Sequence, residues 1–202
     1  MKALLVVDIQ NDFLPGGALA VPKGDEIIPL INSLMEKFEL VFATQDFHPK
    51  GHKSFASYHG KKPGDIIPLG KTQQVLWPDH CVQGTKGADF SKKLNQKKII
   101  KIFQKGTDPN IDSYSGFFDN DHINSTGLSD YLKSKGITEI YIAGLATDYC
   151  VKYTTLDGLK LGFEMNIIKD ACRGINLNPG DVEKALEELE KKGAKITQSN
   201  LI

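Results

Sequence analysis

The sequence has little of what marks the specialised protein classes. It holds three cysteines in 202 residues, Cys81, Cys150 and Cys172. That is too few and too scattered for a disulfide-stapled secreted scaffold, and an odd count leaves one thiol over in any pairing. There is no surplus of charge, since 25 Lys and Arg stand against 25 Asp and Glu. This balance argues against the basic stripe of a dedicated nucleic-acid binder and against a polybasic membrane anchor. No apolar run approaches the roughly 20 residues of a membrane span. The stretch Ala3–Val7 is too short for the core of a signal peptide and runs into Asp8. A cytoplasmic protein is therefore expected, in a compartment where a notable cysteine is more often catalytic or metal-bound than bridged. With 25% charged and 40% hydrophobic residues the composition is that of an ordinary folded chain. The length predicts one domain over residues 1–202.

What is present is a recurrence of short, β-branched apolar runs, at Ala3–Asp8, Glu39–Thr44, Lys98–Phe103, Glu139–Ala143, Phe163–Lys169 and Ala194–Thr197. Runs without clean alternation suit parallel strands covered on both faces. Helical spacing lies between most of them. Asp25 is expected to cap a helix carrying Ile27, Ile28, Ile31, Leu34 and Met35, with Pro29 in its first turn. Further helices are expected at Leu128–Ser134, Asp148–Leu161 and Pro179–Lys192, the last capped by Asn178. The alternation predicts a single α/β domain with a mainly parallel sheet and helices on both faces. Residues 45–89 depart from it: rich in Gly, Pro, His and Lys, they carry no sustained period and hold four of the five histidines and the only tryptophan. So long a loop in a compact domain points to a lid or a site.

In open α/β sheets ligands bind beyond the carboxyl ends of the strands. Asp8 follows the first predicted strand, Asp46 and His48 the second, Lys105 the third, and Cys150 opens the helix after the fourth. Each alone has an ordinary explanation as a turn cap, a solvated lysine or a small core thiol. Four reactive exits on one rim are harder to dismiss. Cys150 near a helix start is the nucleophile candidate, because free N–H groups there favour a thiolate. Lys105 would add to that stabilisation, while Asp8 would accept the thiol proton and pass it to a leaving group. Cys81 and Cys172 lack such a setting. Asp46, His48 and His80 have the donor types of a divalent metal site with open positions. His52, His59 and His122 read as solvated or hydrogen-bonded surface residues.

The segments VVDIQNDF, DFHPKGHKSFAS, WPDHCVQGTKGADF, QKGTD, YSGF and GLATDYCVKYTTLDG, in this order from about residue 3 to residue 174, together resemble the bacterial nicotinamidases (pyrazinamidases) of the isochorismatase-like hydrolase superfamily. The resemblance implies a three-layer fold with a parallel sheet. It implies amide hydrolysis of nicotinamide in NAD salvage, with Cys150 as nucleophile, Asp8 as general acid and base, and Lys105 as the cation of a triad. Backbone N–H groups of Ala146 and Cys150 would form the oxyanion hole, and Leu145–Ala146 matches a cis peptide. Phe13, Trp77, Tyr114, Leu145 and Ala146 fall at substrate-binding positions, with Phe13 and Trp77 against the pyridine ring. Asp46, His48 and His80 fall at the metal ligands, for zinc first, with iron or manganese as alternatives. Some relatives carry a further histidine ligand where this chain has Ser54, which leaves a role for Ser54 at the metal open. A homo-oligomer is compatible with the resemblance; nucleic-acid and membrane partners are not expected.

Two other readings compete. One is a related cysteine amidohydrolase for a different small amide, which the metal triplet argues against because such relatives need no metal. The other is a metal- or thiol-binding regulatory module, in which Asp8 and Lys105 would be idle.

Overall fold

The central strand shows why this chain folds as it does. The computed structural model describes residues 1–202, and β1 (Lys2–Val7) lies in the middle of a six-stranded sheet. Leu4 and Val6 point into one core while Ala3, Leu5 and Val7 point into the other, the two-residue alternation of a pleated strand. Because both faces are covered, both sets must be apolar, which is why ALLVV reads as an unbroken run. Burying each such Leu or Val stabilises the fold by about 1.5–3 kcal/mol.

The remaining strands are β2 (Val41–Asp46), β5 (Lys101–Lys105), β6 (Glu139–Leu145), β7 (Glu164–Arg173) and β8 (Lys195–Thr197), with a separate antiparallel hairpin of β3 (Ile66–Leu69) and β4 (Thr72–Val75). The order in the large sheet is β5-β2-β1-β6-β7-β8 and every pairing in it is parallel. All six expected strands are present. Helix α1 (Ile28–Met35) packs Ile28, Ile31, Leu34 and Met35 against one face. Helices α2 (Leu128–Ser134) and α4 (Asp181–Lys191) bring Leu128, Leu132, Leu186 and Leu189 to the other, where α3 (Lys152–Lys160) also packs along β7. This is a single α/β domain with a six-stranded parallel sheet between helices. None of its helices is long and apolar enough to cross a membrane.

Helix boundaries depart from expectation in three places. Asp25 does not cap α1 through its side chain; only its carbonyl is used, accepting from Ile28 N–H. The helix expected at Asp148 begins as a wide turn over Thr147–Val151 and becomes α-helical only at Lys152. Asn178 and Pro179 lie outside α4, whose N-cap is Gly180; Asn178 instead turns its side chain and its N–H to the Asp181 carboxylate.

The strands left of β1 (β2, β5) are reached by one path and those right of it (β6, β7, β8) by another. The switch therefore falls between β1 and β6. Asp8 leaves the first of these strands and Ala146–Cys150 the second, at the crevice where doubly wound sheets take their ligands.

Candidate active site

Asp8, the first residue past β1, is fully buried and holds φ at 50°, a left-handed conformation that Asp tolerates better than most residues. Thr44 on β2 donates its hydroxyl to Asp8 Oδ1 at 2.7 Å. Lys105 ends β5 in register with Asp46 at the end of β2. Its ammonium, 1% exposed, donates to Asp46 Oδ1 (2.9 Å), to the Ser113 carbonyl (2.9 Å) and to Cys150 Sγ (3.4 Å). It stands 3.1 Å from Asp8 Oδ2 as an ion pair, yet that oxygen receives no hydrogen bond. One buried carboxylate oxygen is thus left with acceptor capacity beside the cysteine.

The charges sort the roles. Burial raises the Asp8 carboxyl above its ordinary value, against the pull of Lys105. Burial acts on Asp46 too, but His48 and Lys105 overcome it and hold that carboxyl well below the usual range. The two carboxylates of the site are thus pushed in opposite directions. Lys105 is desolvated as well, but Asp46 and Asp8 keep its ammonium well above the ordinary lysine value. Burial pushes the Cys150 thiol well up, with Asp8 and Asp46 adding to it and Lys105 opposing. Lys105 therefore favours a thiolate at Cys150 while burial and the two carboxylates disfavour it, and Asp8 stands by as a base for the thiol proton.

Asp46 Oδ2 lies 3.1 Å from His48 Nε2 and 3.3 Å from His80 Nε2. His48 Nδ1 is 2.9 Å from the Gly106 carbonyl and His80 Nδ1 is 2.8 Å from the Pro78 carbonyl. Those carbonyls take the Nδ1–H of each ring, so each Nε2 faces the carboxylate with its lone pair unless positive charge lies between them. Desolvation lowers the His48 pKa, but Asp46 outweighs it and raises the net value; the carboxylate calls for a cation at that nitrogen. Two imidazoles and one carboxylate fit a divalent ion. Gly106 is required for this packing: at φ 66° it is in the left-handed region, and a Cβ there would meet the His48 ring at 2.5 Å.

Hydrogen bonds thread the long loop into this arrangement. His48 and Val82 pair as an isolated bridge, with His48 N–H on the Cys81 carbonyl and Gln83 N–H on that of His48. Asp12 accepts the Cys81 N–H at 2.7 Å, and Gln10 accepts from Asp46 N–H while donating to the Asp46 and Ala88 carbonyls. Trp77 is fixed by bonds to the Ser54 carbonyl and from Ala56 N–H.

A narrow cavity joins the two clusters, lined among others by Phe13, Trp77, Tyr114, Ala146 and Cys150, with Asp46 and His80 also on its wall. Trp77 Nε1 donates to the Tyr114 hydroxyl at 3.1 Å, and the Phe13 ring lies 5.5 Å from that of His80. The Leu145–Ala146 peptide is cis. Leu145 departs from its expected role: its side chain is fully buried in the core beside Gly24 and does not line the cavity. The Ser54 hydroxyl lies 2.8 Å from His52 Nδ1. His52, expected at the surface, is fully buried with its ring 4.4 Å from that of His48, its Nε2 on the Asp108 carbonyl. His59 is half-buried and His122 exposed. Asp112, Tyr149, Leu19 and Ile175 line the cavity without having been singled out. Only Tyr149 carried a signal, as the neighbour of Cys150.

A model of the isochorismatase domain matches residues 2–200. The chain belongs to the isochorismatase family. Within it, the chain is similar to the nicotinamidase of Escherichia coli (strain K12), 48% identical with 96% of this chain and 93% of the relative covered. A solved Acinetobacter baumanii nicotinamidase pyrazinamidease superposes with a TM-score of 0.96 at 49% identity, covering 100% of this chain and 98% of that one. The pyrazinamidase of Pyrococcus horikoshii, solved in complex with zinc, gives 0.80 at 43% identity over 98% of each chain.

Proposed function

We propose that this site hydrolyses nicotinamide to nicotinate and ammonia through a thioester on Cys150, in the cytoplasm and in the service of NAD salvage. One observation carries the reading: Cys150 and Ala146, the ligand candidates Asp46 and His80, and the aromatics Phe13 and Trp77 all line one cavity. A flat ring held between the aromatics would then meet both the thiol and the ligand cluster. The names of the similar proteins support this substrate. Asp46, His48 and His80, on the segment 45–89, hold one divalent ion, zinc first with iron or manganese as alternatives. When bound, it supplies a Lewis-acid site for the pyridine nitrogen and so orients the ring.

The protein's own groups carry the chemistry. Cys150 gives its proton to Asp8 Oδ2 as sulfur bonds to the amide carbon and the carbonyl pair moves onto oxygen. The N–H groups of Ala146 and Cys150 hold that oxyanion. Asp8 returns the proton to nitrogen as the C–N bond breaks, which frees ammonia and leaves the thioester. A water then yields a proton to Asp8 while its oxygen bonds to the same carbon. Nicotinic acid departs as the C–S bond breaks and Asp8 reprotonates the sulfur; the acid then loses its remaining proton to water as nicotinate. Lys105 stays protonated throughout, offsetting Asp8 and Asp46.

The wild-type protein should release ammonia and nicotinate in equal amounts. Cys150→Ala should release neither, whereas Cys81→Ala and Cys172→Ala keep most activity. Ammonia from the Cys150→Ala protein would overturn the reading.

A further inference from the structure

The turn that carries Cys150 also holds a wall of the cavity, through a residue the chemistry does not use. Asp148, two positions before Cys150, is 7% exposed. Its Oδ1 accepts the N–H of Ile175 at 2.9 Å and its Oδ2 that of Asn176 at 2.7 Å. Residues 175–177 make no backbone–backbone hydrogen bond. Asn176 sits at φ 53° and its side chain accepts from Val182 N–H at the start of α4. The approach is close: a Cβ on Gly174 would meet the Val182 side chain and, at 2.8 Å, Asp148 Oδ1. Ile175, placed by these bonds, lines the cavity that Cys150 lines.

We propose that Asp148 is a positioning residue that sets Ile175 as an aliphatic wall of the cavity, and so sets which ring substituents the site accepts. Without the carboxylate, the two N–H groups lose their acceptor and the 174–178 loop loses its tie to the nucleophile turn. The wall then recedes while Asp8, Lys105 and Cys150 keep their partners. An aliphatic contact of this kind discriminates by about 10–200-fold between substrates differing by one methyl group.

The inference rests on the amide-hydrolase reading above. Its test measures kcat and KM for nicotinamide and for a panel of ring-methylated nicotinamides. The proteins are the wild type, Asp148→Ala, Asp148→Asn, Ile175→Ala and the Asp148→Ala/Ile175→Ala pair. Both Asp148→Ala and Ile175→Ala should raise KM for nicotinamide more than they lower kcat. Both should narrow its preference over the methylated amides by about tenfold. The pair should do no more than Asp148→Ala alone, since both remove the same wall. Asp148→Asn keeps one acceptor oxygen and should fall between. Should Asp148→Ala not fold, Asp148→Asn with and without Ile175→Ala makes the same comparison. Effects that multiply in the pair, or a uniform loss of kcat with the preference untouched, would overturn the inference. A wild-type protein that turns over none of these amides would instead overturn the reading beneath it.

Discussion

Two sets of side chains meet at the cavity, and the fold holds them by different means. Asp8, Asp46 and Lys105 stand at the ends of neighbouring parallel strands, where backbone register fixes them: Val7 pairs with Thr44 and Asp46 with Lys105. His48, His80 and Trp77 hang on the segment after β2, held by an isolated bridge and by side chain–backbone bonds from Gln10 and Asp12. The difference teaches a division of labour. In the proposed reaction, proton transfer and attack depend on the rigid frame, where small displacements are costly. Ring binding and its ion are assigned to the loop. Asp46 belongs to both, giving one oxygen to Lys105 and the other to the histidines.

That division can be broken most sharply on the strand side. Asp8→Asn keeps the shape but removes the proton acceptor, so kcat for nicotinamide should fall by about 10²–10⁴-fold, with KM and bound ion unchanged. A parallel loss of the ion, seen by metal analysis, would show that the two sets are not separable. On the loop side, His80→Ala should weaken ion binding by more than the roughly 10–100-fold that loss of an outer hydrogen-bond partner costs. It should raise KM while iodoacetamide still modifies Cys150 at the wild-type rate. Full ion occupancy in that variant would contradict the assignment of His80.

A subtler effect sharpens the account of the frame itself. In Lys105→Met the group that opposes burial at the thiol is gone, so the pH inflection of Cys150 alkylation should move upward. Asp8→Asn should move it downward, since the Asp8 charge disfavours thiolate. Two unchanged profiles would reduce Lys105 to a structural lysine.

The strand side was legible in the sequence and the loop side only in part, for the same physical reason. A strand buried on both faces must be apolar along its length, so ALLVV, and with it the position of Asp8, can be read directly. The 45–89 segment has no such rule. Its hairpin strands are short and mix exposed, half-buried and buried residues without an apolar run (IIPL, TQQV), and its order comes largely from partners far away in the chain. His52 shows this: its ring nitrogen sits on the carbonyl of Asp108, 56 residues on, which no local spacing announces. Asp148 and Gln10 escaped notice because a carboxylate or amide that accepts loop N–H groups looks, in sequence, like any polar residue. Asn178 misled as a helix cap because the chain makes a further turn before α4, which leaves Gly180 at the N-cap and the Asn178 amide donating to Asp181. His80 was legible as a metal-donor type, while the resemblance supplied Trp77 its role; of Leu145 and Ala146, both set at substrate positions, only Ala146 lines the cavity.

The central claim is that Cys150, deprotonated by Asp8, forms the covalent intermediate. Its most direct test is acid quenching of the protein during nicotinamide turnover, followed by peptide mass analysis. A nicotinoyl thioester should be found on the peptide bearing Cys150 and on neither Cys81 nor Cys172, and it should be missing from Asp8→Asn. An adduct on another cysteine, or undiminished adduct formation in Asp8→Asn, would contradict the account.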